Sequence, residues 1–296
     1  MKTKKRSNSL IVNRTIKNTN KESIPVKKLK VPTEETFYKY HQIMNKYIKS
    51  LEITNDQYKA LSAYKGSIYR PINKYLWQNK SIHPHYASTL GVRLTWFEKF
   101  FTKQKSLREK VKEKIEILVK DIDDVFKHSN AKFPYSIDVY HGLDSRYYEY
   151  NNDNNDSTNG IENKRFNHKI GDIIEYKGYM STSLDPNIGI GFSNCNKCCL
   201  YKIHIPKNSN IIPLVWFKHK NKDKTSDEIL NILNKSFNYE TPSGSEREFL
   251  INRNSKIKVT DVYFVEPIAK FRICSYKKIK DPSNNLMKVY ECLLLN

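Results

Sequence analysis

Residues 134–143 read PYSIDVYHGL, and the chain changes character there. An aliphatic-aromatic run, IDVY, meets a histidine and then a glycine. One reading is a core histidine before a turn glycine; the other is an imidazole and a bare backbone amide beside a ligand. Which holds depends on the segments to either side.

Upstream the periodicity is helical. Residues 32–51, PTEETFYKYHQIMNKYIKSL, set Phe37, Tyr40, Ile43, Met44, Tyr47 and Leu51 at helical spacing behind a Pro-Thr-Glu-Glu start. A second start follows at Thr54-Asn-Asp, with Tyr58, Leu61 and Tyr64 on one face, and residues 70–78 predict a third, short helix. Residues 104–127 form a charged amphipathic pattern whose apolar stripe is Val111, Ile115, Leu118, Val119, Ile122 and Val125. Downstream, short runs rich in Val, Ile, Tyr and Phe alternate with turn residues: IDVYHGL, IIEYKGYMSTSL, CLYKIHIP, NIIPLVWF, EREFLI, KIKVTDVYFV and KVYECLLL. The stretch NNDNNDSTNG (151–160) reads as an exposed loop between two of them. Helices first and strands after predict an α+β domain rather than alternating βαβ units. Its expected parts are a helical part at 31–130 and a β core at 131–296.

The chain has 296 residues and is 38% hydrophobic, enough for one large core or two modest ones. Its 52 Lys and Arg against 31 Asp and Glu give a formal charge of +21. Part of that excess is local: residues 1–30 hold ten Lys/Arg and one acid, Glu22. With no sustained apolar run, this leader reads as a disordered basic tail, neither a secretory signal nor a membrane span. A solvated charge run explains it; contact with a polyanion is the functional alternative. Cys195, Cys198, Cys199, Cys274 and Cys292 make an odd count, which suits a reducing, intracellular setting, cytoplasmic or nuclear. The CNKCC cluster lacks the second pair of a zinc site, so no metal is expected.

Four stretches carry chemistry: YKGSIYRPIN (64–73), VYHGLD (139–144), GYMSTSLDPNIGIGF (178–192) and PSGSEREFLI (242–251). In the third, Ser181, Thr182 and Ser183 close a strand before a Gly-rich loop. In the fourth, Glu246 and Glu248 stand two apart as a strand begins, a spacing that puts two carboxylates on one side. In an apolar site such a pair splits in pKa, as acid–base work requires.

In this order the four stretches resemble the mono-ADP-ribosyltransferases of the arginine–serine–glutamate type, which include clostridial actin-modifying binary toxins, vertebrate ecto-enzymes and phage enzymes. The resemblance covers roughly residues 54–296. It implies an N-terminal helical layer on a mixed or antiparallel two-sheet β core, NAD+ as co-substrate, and transfer of ADP-ribose to a protein side chain, with arginine as the expected acceptor. Breaking the nicotinamide–ribose bond passes through an oxocarbenium-like state, as in glycoside hydrolysis. By resemblance Glu248 stabilises that charge, Ser181 orients Glu248 and the ribose with support from Thr182 and Ser183, and Glu246 deprotonates the acceptor. Phe192 matches the aromatic packed on nicotinamide, and Tyr64, Tyr69 and Asn73 match positions that touch NAD from the helical side. The 237–245 loop, with Tyr239, corresponds to the surface offered to the protein target.

This chain has His141 where that pattern has an arginine paired with the pyrophosphate. Tyr-His-Gly is instead the first motif of the diphtheria-toxin-like branch, where the histidine holds the adenosine-side ribose. Gly142 keeps its backbone role in both, and Arg146 is the candidate for the displaced positive charge. Three alternatives stay open: a catalytically impaired binding module of the same fold, a nucleic-acid-associated protein, and a plain NAD glycohydrolase.

Overall fold

The computed structural model describes residues 15–17, 23–78, 82–93, 103–128, 130–143, 167–193, 199–214, 247–266 and 286–295. The helical layer starts where the cap chemistry puts it. Thr33 caps α1 (Glu34–Ser50), its hydroxyl accepting from the Thr36 amide at 3.2 Å. Thr54 and Gln57 form a reciprocal capping box ahead of α2 (Asn55–Ala63), which satisfies two amides that the first turn leaves orphaned. α2 runs into a single π turn, Tyr64–Ile68, where Gly66 leaves helical geometry at ψ −132°, and α3 (Tyr69–Trp77) begins there. Pro71 gives the reason for the break: proline lacks an amide proton and fits only a helix's first turn, so a new helix must start just before it. The charged helix, α4 (Lys103–Lys127), buries all six residues of its expected stripe.

The strands are β1 (Thr15–Lys17), β2 (Ser23–Lys27), β3 (Ile137–Leu143), β4 (Ile173–Tyr176), β5 (Met180–Ser183), β6 (Cys199–Ile205), β7 (Ile211–Pro213), β8 (Glu248–Ile251), β9 (Ser255–Val265) and β10 (Met287–Leu295). They run in the order β1-β2-β9-β10-β6-β3-β5-β8-β7, with β4 added on β9. The β6–β10 and β2–β9 ladders are parallel and the others antiparallel. One joint is thin: β3 and β5 meet through a single pair, Tyr140 with Ser183. The sheet is therefore nearly divided into a β9-β10-β6-β3 part and a β5-β8-β7 part, and the mixed α+β core expected from the sequence is present.

Alternate residues of β3 face opposite ways. Ile137, Val139 and Leu143 enter the large core shared with the helices, whereas Tyr140 belongs to a smaller cluster with Ile190, Leu200 and Tyr263. Tyr47 ties the layers together by donating to the Ile211 carbonyl at 3.0 Å.

Two expectations need correction. The basic leader is not disordered to residue 30, because β2 pairs with β9 and Lys27 bridges Asp261 at 2.5 Å. The stretch after STS is not a loop: Pro186–Phe192 is a short helix, α5, capped by the Asp185 carboxylate on the Asn187 amide at 2.9 Å. The Asp-Pro start outweighs its two glycines. No described helix is long and apolar enough to cross a membrane.

Candidate active site

The site gathers where β5 and β8 pair beside the β3 joint. Their register sets Ser183 opposite Glu248, Thr182 opposite Phe249 and Ser181 opposite Leu250. Ser183, Ser181 and Glu248 thus share one face, with Ser181 diagonal to the carboxylate. Glu248 is buried. The three hydroxyls serve different ends. Thr182 donates to the Phe249 carbonyl at 2.9 Å, and Ser183 accepts from the Asp185 amide at 3.0 Å, so both stiffen the strand end. Ser181 lies near the Tyr64 hydroxyl and lowers its pKa, while the Glu248 charge raises it.

Tyr64 and Asn73 close the site from the helical side. Asn73 donates to the Tyr64 hydroxyl and to the Tyr179 carbonyl, and accepts from the Tyr179 amide, all at 3.0 Å. Tyr64 donates to the same carbonyl at 3.1 Å. Its burial pushes its pKa far above the ordinary phenol value. These two residues therefore clip the backbone that leads into STS. Gly178, just before, lets α3 come close: a Cβ there would lie 2.7 Å from the Asn73 oxygen. Tyr179 is held at its other end too, its hydroxyl donating to Asp123 at 2.7 Å while Arg253 grips that carboxylate. Tyr69 is half-buried beside Tyr64, and Arg70 reaches its hydroxyl at 3.1 Å.

His141 lies on the core face of β3. Its Nδ1 is 2.6 Å from the Ser181 carbonyl oxygen, so Nδ1 carries the proton, and the Tyr176 hydroxyl approaches Nε2 at 3.5 Å. Tyr201 stacks on the ring and Tyr176 meets it edge-on. Desolvation by this enclosure lowers the pKa to about 4, against a raising effect from the Ser181 carbonyl. At neutral pH the ring is uncharged and acts as a hydrogen-bonding group. Gly142 is required for packing: a Cβ would collide with the Gly189 carbonyl oxygen and lie 2.7 Å from the Ser193 nitrogen, where α5 crosses β3. Phe192, at the end of α5, is 51% exposed and so is no core residue.

The expected pairing of Glu246 and Glu248 on one strand face does not follow from strand geometry. β8 begins at Glu248, and Arg247 has φ +44°, which ends the alternation. Glu246, Arg146, Tyr239, the 237–245 loop, Cys195 and Cys198 lie outside the described residues. Cys199 is buried on β6, and among the described residues no group of His, Cys, Asp and Glu is placed to hold a metal ion. The sequence reading passed over Arg70, Tyr176, Tyr201 and Arg247. Arg70 and Arg247 stand inside the quoted YKGSIYRPIN and PSGSEREFLI stretches; nothing local marks Tyr176 and Tyr201.

A family model described as ADP-ribosyltransferase exoenzyme matches residues 37–285. Among solved structures, the chain resembles the ADP-ribosylating toxin BECa of a binary enterotoxin of C. perfringens, solved with NADH. Identity is 16% and the TM-score 0.52, over 92% of this chain and 51% of that one. The chain thus spans about half the length of BECa, and this likeness shows a shared fold. The Clostridium limosum C3 exoenzyme is 17% identical at TM-score 0.48, over 92% of this chain and 98% of that one. C3stau2 from S. aureus, solved with NAD, is 18% identical at TM-score 0.47, over 91% and 100%. No curated protein matches the sequence.

Proposed function

The chain belongs to the ADP-ribosyltransferase exoenzyme family, and from that premise we propose that it cleaves NAD+ at the nicotinamide–ribose bond and transfers ADP-ribose to a protein side chain, arginine. The observation that carries this reading is the convergence of a buried carboxylate, Glu248, with the Ser181 and Tyr64 hydroxyls at the end of β5. That donor set fits the nicotinamide ribose, whose hydroxyls need an acceptor and whose C1′ gains positive charge as the bond breaks.

Glu248 accepts from the ribose and stabilises that charge in a partly dehydrated setting, a contribution of about 10²–10³ in rate where such groups are removed from other enzymes. Ser181 and Tyr64 hold the carboxylate's direction. The bonding electrons leave with nicotinamide, and C1′ bonds to the acceptor nitrogen, which loses a proton to Glu246. Neutral His141 cannot pair with the diphosphate as an arginine does. Arg70, exposed at the start of α3 beside Tyr69, takes that role in our reading, and Phe192 covers the nicotinamide face. The 237–245 loop presents the target, and the setting is the interior of a cell.

The test is nicotinamide release and labelling of lysate proteins with radiolabelled NAD+. Glu248→Gln should abolish both. Glu246→Gln should cut transfer far more than hydrolysis, and equal loss of the two would remove Glu246 from the acceptor role. Absence of NAD binding at millimolar concentration would sink the whole reading.

A further inference from the structure

We propose that Arg247, the residue between the two glutamates, is a positioning residue that fixes the entry into β8 and with it the setting of Glu248. The proposal rests on Glu248 being the catalytic carboxylate.

Arg247 is one of four described non-glycine residues with positive φ, at +44°. Side chains other than glycine, Asn and Asp rarely adopt this region, and such a conformation persists only where its surroundings hold it. Three contacts do so. Its carbonyl accepts from the Leu184 amide at 3.0 Å. Its guanidinium sits over the Phe37 ring, with Cζ 3.4 Å from the centroid. Its Nη1 is 3.8 Å from Asp185 Oδ2, and the two side chains are only 14% and 18% exposed, so water screens the pair little.

Each contact leads to the site from a different element. Leu184 directly follows Ser183, which pairs with Glu248. Asp185 caps α5 and sends its own amide to Ser183 Oγ. Phe37 lies in the first turn of α1, the helix that Tyr47 fastens to β7. Arg247 therefore joins the end of the STS strand, the cap of α5 and the first helix at the residue before Glu248. Only arginine suits this position: its planar group stacks on the ring and points a nitrogen at the carboxylate, whereas lysine's ammonium can pair but cannot stack.

A residue that merely stabilised the fold would change the melting temperature and leave kcat per folded molecule alone. A positioning residue changes kcat, because a displacement of about 1 Å in a catalytic group costs on the order of 10²-fold. The test measures kcat and KM for nicotinamide release with Arg247→Ala, Arg247→Lys and Phe37→Leu. Each is assayed well below its own melting temperature and normalised to the folded fraction by circular dichroism. Arg247→Ala should lower kcat about 10²-fold. Arg247→Lys and Phe37→Leu should each lower it about 10-fold, with KM for NAD+ within about twofold of the parent. Because the two mild changes break one stack, the double variant should lose little more than the worse single. Variants whose kcat stays within twofold of an active parent overturn the proposal alone, as does a rise in KM in place of a fall in kcat. A parent chain that releases no nicotinamide overturns the underlying function instead, and this proposal with it.

Discussion

The imidazole Nδ1 of His141 lies 2.6 Å from the carbonyl oxygen of Ser181, across the gap where β3 and β5 stop pairing. The ring does there what a ladder amide does elsewhere in the sheet: it satisfies a carbonyl that the diverging strands leave behind. His141 is thus tied to the first residue of STS, and its charge state matters to the site.

Acid should expose the burial of this ring. His141 has a folded pKa near 4, below the unfolded value of about 6.5. In the window between them the unfolded chain binds more protons, so the contribution is complete above about pH 6.5 and is lost as pH falls toward 4. We expect a loss on the order of 2 kcal/mol by pH 4.5 from this group. Urea denaturation of wild type and His141→Gln at pH 7 and pH 4.5 checks it. Equal pH sensitivity in the two proteins would remove His141 as the cause.

Gly142→Ala should destabilise the protein by about 1–3 kcal/mol, since the added methyl meets backbone of α5 rather than a movable side chain. The urea midpoint should fall with the slope unchanged. A midpoint within experimental error of wild type would mean that α5 does not press on β3 as described.

Asn73→Leu should cost about 2–4 kcal/mol, because it leaves the buried Tyr179 amide without its acceptor and takes a donor from the Tyr179 carbonyl. Nicotinamide release should fall together with stability as the STS backbone loosens. If release per folded molecule is unchanged, the clip is structural only.

Arg70→Ala should raise KM for NAD+ about tenfold, the weight of one charge-assisted hydrogen bond, with kcat within twofold. An unchanged KM would show that the diphosphate is held elsewhere.

Deleting residues 1–14, which carry Lys2, Lys4, Lys5, Arg6 and Arg14, should weaken binding to double-stranded DNA and flatten its salt dependence. Binding that salt leaves unchanged in the full chain would end the polyanion reading. Deleting residues 1–30 is the wrong experiment, because it also strips β2 from β9.

The helices were legible because their information is local. Thr33 and Thr54 begin them by capping chemistry, and the stripe from Val111 to Val125 needs only a period of 3.6 to be seen. The α5 segment misled because its glycines suggested a loop while its Asp-Pro start specified a helix. The β2 strand was hidden because its five residues, SIPVK, run straight into further lysines, a charge run that reads as a tail.

For the site, the sequence by itself determined which chemical groups are available: the STS hydroxyls, Glu248, Tyr64 and His141. Their order along the chain sufficed for the family. Tertiary structure alone decided what each group does. The His141 tautomer is set by a carbonyl 40 residues away, and the Asn73 amide is occupied by backbone 106 residues away. Arg247 is held in a left-handed turn by an aromatic ring from the first helix. Periodicity and propensity report only on a residue's near neighbours in the chain; protonation, hydrogen-bond partners and backbone strain depend on whatever folding brings against it.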